Sequence, residues 1–276
     1  CWLLLRFNTD AVLARAAALI GAGGVTAGEL AALEDTFNGK DGKVLPYGLL
    51  TTDHTGRHKA RIKETAVRVV CANTYDASLG VNEGGVSVAV AHHQRVVDDW
   101  REATHALFGD LVRRYIGLAN YRSVLRAATL DSHAFIDLVL DAMVPVAQLE
   151  EKIRRREGTA HTVTALQKAT DKRVEITRLW KEGAGQTGDH SAWEAYQGAV
   201  EYLDHDTRAL PGDRDRVASL MGGSLATAKT AVFRNLMRYA VNAEESRDVV
   251  AEMLGRDTAP VVETLLASAG RAAAAT

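Results

Sequence analysis

Cysteine is scarce in this chain: Cys1 and Cys71 are the two among 276 residues. Two thiols build no disulfide framework, and so few in this length point to a reducing compartment, with both expected as thiols. Aromatic residues are also few, at 6 %, which disfavours any ligand held mainly by base stacking. Charge of one sign is missing, since 33 Lys and Arg stand against 35 Asp and Glu for a net charge of −2. No global field therefore draws the chain to nucleic acid or to an anionic membrane, and any such partner has to be met by a local patch. No apolar run approaches the roughly 18 residues of a membrane span. The opening CWLLLRFNTD lacks both a basic segment before its short apolar stretch and a cleavage site after it, so it is not read as a signal peptide. A first residue other than Met suggests processing, truncation or residues before Cys1. The HExxH and CxxC spacings of zinc sites are absent too, and no metal or other cofactor is expected.

What is present is ordinary globular material, 47 % hydrophobic and 25 % charged, long enough to bury one large core or two modest ones. DAVLARAAALI, with Asp10 as a plausible N-cap and GAGG after it, predicts a short helix over 10–20, and a second follows around 27–33. From Val44 the pattern turns β-branched or alternating, and three strands are expected. The first two form a hairpin around Asp53–Gly56, Pro46 lies near an edge or at the strand's start, and Asn73–Leu79 forms a turn or short helix before the third. After His93 the spacing is helical almost to the end. EGAGQTGD and LPGDRD are the clearest loops, and no internal repeat is seen. The expected fold class is α+β, a small antiparallel sheet of about three strands followed by a large helical region. It forms a single domain, with 1–119 the α+β core and its N-terminal helices and 120–276 the helical continuation.

Arg57, Lys59, Arg61 and Lys63 stand at alternate positions of one expected strand. A regular pleat puts all four on one face about 6.5–7 Å apart, near the spacing of successive phosphates in a single strand. The competing reading is a solvated strand face whose cations discourage edge pairing. At the end of that strand, Cys71 is expected to pack as a small hydrophobe, and Asn73 or Thr74 to cap a corner. His92 and His93, with Asp53, His54 and His58, could in principle make a metal site, but the first two are neighbours in a strand, face opposite sides and should not both ligate one ion. Glu201, Asp204, His205 and Asp206 read either as an acid–base cluster or as a solvated helix end. GSLATAKT echoes a phosphate-binding loop with Ala228 where a second glycine belongs, so the safer reading is a helix start with Lys229 in its first turn or two. KIRRREG, 152–158, reads as a solvated helix face, with a supplementary DNA contact as the lesser alternative.

Several separated motifs carry a resemblance. Val70, Cys71, Asn73 and Thr74 at a strand end, the His54-Thr55-Gly56 turn with Asp53 before it, Trp193, the segment Gly198–His205 with Tyr202 and His205, and Gly222, Gly223 and Lys229 together resemble a phage- and plasmid-like uncharacterised family, domain of unknown function 932. In that family the segment before the Tyr carries Asn and Thr where Gly198 and Val200 stand here, which removes two polar side chains. The resemblance spans about Val44 to Tyr239. It implies a mobile-element context, and so DNA handling by association rather than by chemistry.

The leading expectation is a non-enzymatic DNA-binding or single-strand-annealing accessory protein. Arg57, Lys59, Arg61 and Lys63 would track phosphates of single-stranded DNA, and Cys71, Asn73, Thr74, Trp193, Tyr202, His205 and Lys229 would be structural. A sheet of three strands and a helix also resembles, loosely, a ring-forming annealing fold, so a homo-oligomer is a possible partner, with no membrane, in the cytoplasm of a bacterial host. The alternatives are a structural or interaction protein of the element that binds no nucleic acid, and an enzyme using the His-containing strand ends.

Overall fold

The computed structural model describes residues 2–20, 24–39, 44–51, 60–68, 73–74, 87–90, 112, 115–206 and 224–242. Two compact units are distinguished, the first described within Cys1–Ser123 and the second being Val124–Ser246. The division expected after residue 119 and this boundary both fall in the helix at 115–127.

In the first unit, β1 (Trp2–Arg6) is followed by α1 (Thr9–Ile20) and α2 (Ala27–Asn38) before β2 (Val44–Thr51), β3 (Ala60–Arg68), β4 (Asn73–Thr74) and β5 (Ser87–Val90). All pairings are antiparallel: β2 lies between β1 and β3, and the other side of β3 takes β5 at Ala60–Lys63 and β4 at Val67–Arg68. Pro46 is the third residue of β2, paired with Ala66 of β3 and lying just beyond the register with β1. Phe7 N–H donates to the Pro46 carbonyl at 2.8 Å. Proline has no N–H to return, so the β1–β2 ladder stops at Arg6↔Tyr47.

The cap of α1 is Asn8, two residues before the expected Asp10, and its Oδ1 accepts the N–H groups of Asp10 and Ala11 at 2.9 and 3.2 Å. A capping box opens α2: the Glu29 N–H donates to Thr26 Oγ1 while Glu29 Oε2 accepts from the Thr26 N–H. Glu29 is buried, and its other oxygen accepts from Asn120 Nδ2 at 3.1 Å in α3 (115–127). Buried Arg122 pairs with Asp35 at 2.5 Å, and the Phe37 and Tyr115 rings meet edge to face at 5.7 Å. A capping carboxylate, an ion pair and a ring contact thus fix α3 on α2, while Tyr115 Oη receives the Tyr47 N–H at 3.2 Å from β2.

These observations correct the expected fold class of a small sheet of about three strands followed by helices. The described residues are mostly helical. Helices α1 and α2 also stand between β1 and the other strands, so strands and helices are interleaved instead of following in two blocks. The physical reason is that Trp2–Arg6, a short apolar run, carries no periodicity that separates a strand from any other buried segment.

The second unit contains α4 (Ser132–Met143), α5 (Ala147–Arg154), α6 (Ala160–Glu182), α7 (Ala192–Glu201) and α8 (Ser224–Asn242). Two π turns interrupt the regular spacing, at Ile136–Leu140 inside α4 and at Tyr202–Asp206 running on from α7. Every residue from Ser191 to Val200 is buried, which makes α7 the central helix of this unit. Trp180 stacks on Phe135 at 3.9 Å, and Tyr196 meets both Trp193 and Phe233. At Gly198 the α6 and α7 backbones come together: a Cβ there would lie 2.8 Å from the Trp180 nitrogen and 2.9 Å from its Cα.

Candidate functional site

Arg61 and Lys63 lie in the half of β3 that is paired on both sides. Arg61 stands opposite Thr51 of β2 and Ala89 of β5, and Lys63 opposite Leu49 and Ser87. Arg57, Lys59 and Cys71 fall outside the described residues. Asn73 and Thr74, expected at a corner, are themselves strand residues, paired with Arg68 and Val67. Asn73 and Thr74 thus belong to the same antiparallel sheet as Arg61 and Lys63.

The other motif residues meet in the second unit. Trp193 and Tyr202 are buried, His205 is exposed, and Lys229 is completely buried with its ammonium paired to the buried Asp204 carboxylate. This pair joins two motifs 25 positions apart. Lys229 is the sixth residue of α8, and its charge is met inside the core. The expected cluster of Glu201, Asp204, His205 and Asp206 divides. Asp204 faces the core, and half-buried Glu201 accepts the Ala184 N–H at 3.2 Å.

The loop between α6 and α7 is held by side chains that the sequence reading missed. Glu194, at the third position of α7 and 3 % exposed, accepts through Oε1 from Thr187 N–H (2.5 Å), Thr187 Oγ1 (2.8 Å) and Gly188 N–H (3.1 Å). Gln186 Nε2 bridges the carbonyls of Leu179 and Glu194, tying the end of one helix to the start of the next. Gly185, Gly188 and His190 all have positive φ, at 72°, 86° and 51°. His190 is kept there by the Leu130 N–H on its carbonyl and by edge contact with Trp180 at 5.5 Å. The Gly-rich EGAGQTGD marked a loop in the sequence, but its carboxylate anchor lies outside that string. On α6, hydrogen bonds from Arg178 hold the Glu175 carboxyl below the usual carboxylate range, reinforced by the Arg178 charge and opposed by partial burial.

Among the described residues, no group of three His, Cys, Asp or Glu is placed to hold a metal ion, and no single helix is long and apolar enough to cross a membrane. No curated protein and no solved structure matches the sequence. The family model described as "Domain of unknown function (DUF932)" matches residues 14–248. With most of its length inside that match, this chain belongs to the DUF932 family.

Proposed function

We propose that this protein is a non-enzymatic DNA-binding protein, a single-strand-annealing accessory of a phage- or plasmid-type mobile element acting in the host cytoplasm. Its partners are single-stranded DNA and further copies of itself. The observation that carries the reading is the position of Arg61 and Lys63 in a strand segment with neighbours on both sides. Cations on an edge strand serve to block pairing, but that explanation lapses where both sides are already paired. Strand positions two apart recur on one face every 6.5–7 Å or so, and pairing on both sides holds their register.

Fluorescence anisotropy with a labelled single-stranded oligonucleotide at two salt concentrations tests this. The double variant Arg61→Gln/Lys63→Gln is expected to fold, and to lower the magnitude of the salt slope by about 1.4. A parent protein that fails to bind at low salt ends the reading. Light scattering tests self-association, and a monodisperse monomer at micromolar concentration removes the ring-forming version. A second reading, an interaction protein of the element, is favoured by Val163 and Val174, which are 55 % and 64 % exposed on α6.

A further inference from the structure

The hairpin of α5 and α6 stands apart from the rest of its unit in burial and in charge. No residue from Ala147 to Glu175 is buried, and the first buried one is Ile176. Ala147–Glu182 holds nine Lys and Arg against six Asp and Glu, a net charge of +3 in a chain whose total is −2. Glu151 engages Arg154 and Arg155, Asp141 engages Arg173, and Glu175 engages Arg178. The side chains of Lys152, Arg156, Lys168 and Lys172 are exposed and have no ion-pair or hydrogen-bond partner among the described residues.

Lys168 and Lys172 are one helical turn apart, and His161 lies seven positions before Lys168, so the three form one stripe along α6. At the hairpin's tip, Arg156 has φ 62°, its N–H donates to Ile153 O, and Glu157 N–H donates to Lys152 O. That is a helix-ending turn in which glycine ordinarily takes the left-handed position. A long cation is therefore held, exposed and unpaired, where the backbone favours a residue without a side chain.

We infer that this hairpin, whose exposed cations include Lys152 and Arg156 at the end of α5 and the Lys168–Lys172 stripe on α6, is a second contact region for the phosphate backbone of nucleic acid. The inference rests on the DNA-binding reading above and adds a site separate from Arg61 and Lys63. Unpaired cations on an unburied helical hairpin complement a polyanion. Ile153, Val163 and Val174, the exposed large apolar residues of the hairpin, are too few for insertion into a bilayer, so a lipid surface is the poorer fit.

The test measures single-stranded oligonucleotide binding by the full chain, by Lys168→Gln/Lys172→Gln and by Arg156→Gly, with circular dichroism melts of each and vesicles of mixed neutral and anionic lipid. The lysine pair is expected to melt like the parent and to lower the magnitude of the salt slope by about 1.4. Arg156→Gly is expected to melt no lower than the parent, since glycine relieves the left-handed backbone, yet to lower the slope by about 0.7. A parent that binds no DNA overturns both this inference and the function it rests on. A parent that binds, weakened by Arg61→Gln/Lys63→Gln but unchanged by the α6 and Arg156 variants, overturns this inference alone. So does binding to anionic vesicles that these variants abolish while DNA binding stays intact.

Discussion

Gly198 shows how one residue can be opaque in the sequence and plain in space. Against the family pattern it is a lost amide, yet a Cβ at this position would fall 2.8 Å from the Trp180 nitrogen. Gly198→Ala is therefore expected to cost about 1–3 kcal/mol through forced separation of α6 and α7, seen as a lower thermal midpoint. Lys229 carries a second consequence at this scale. Lys229→Met leaves the Asp204 carboxylate buried with its main countercharge gone, and the loss is expected to reach about 3–5 kcal/mol in denaturant unfolding. Adding Asp204→Leu is expected to restore most of it, because removing both charges also removes their desolvation cost. A double variant as unstable as the single would mean that Asp204 answers to other groups.

Among the elements, the α6–α7 loop depends on a carboxylate from the following helix. Glu194→Ala removes the acceptor of three hydrogen bonds and is expected to cost about 1–3 kcal/mol. Faster hydrogen exchange at the Thr187 and Gly188 amides, with the amides of α8 unaffected, is the local signature that separates this from general destabilisation. On α6, the Glu175–Arg178 pair is a surface interaction worth about 0.3–0.5 kcal/mol. Because the folded Glu175 carboxyl titrates below its unfolded value, the contribution is present above the ordinary carboxylate range. It is lost as pH falls through the lowered folded value. The stability difference between parent and Glu175→Gln is thus expected at neutral pH and to vanish in acid, as read by urea unfolding.

For the whole molecule, a net charge of −2 means that any attraction to DNA comes from a few local cations. The four strand cations Arg57, Lys59, Arg61 and Lys63 by themselves give a salt slope of about −2.8 on a single strand, so affinity is expected to fall at least roughly 50-fold between 50 and 200 mM salt. A shallow dependence over that range in the anisotropy titration would mean that contacts other than phosphates dominate.

Periodicity and punctuation made the helices legible: α1 ends at Ile20 before the glycines, and the helical spacing after His93 corresponds to α3–α8, because apolar spacing and capping are local properties. The family, too, could be read from short motifs along the chain. The strand at Trp2–Arg6 was not legible, since its partner β2 lies about forty residues away and an isolated strand has no internal hydrogen bonds to betray it. Nor was the meeting of Asp204 with Lys229, or of Glu194 with Thr187 and Gly188. In each case the residue type was visible, but its burial and its partner arise from helix crossings set by packing, and a charge that reads as solvated along the chain becomes structural once neighbouring helices exclude water from it.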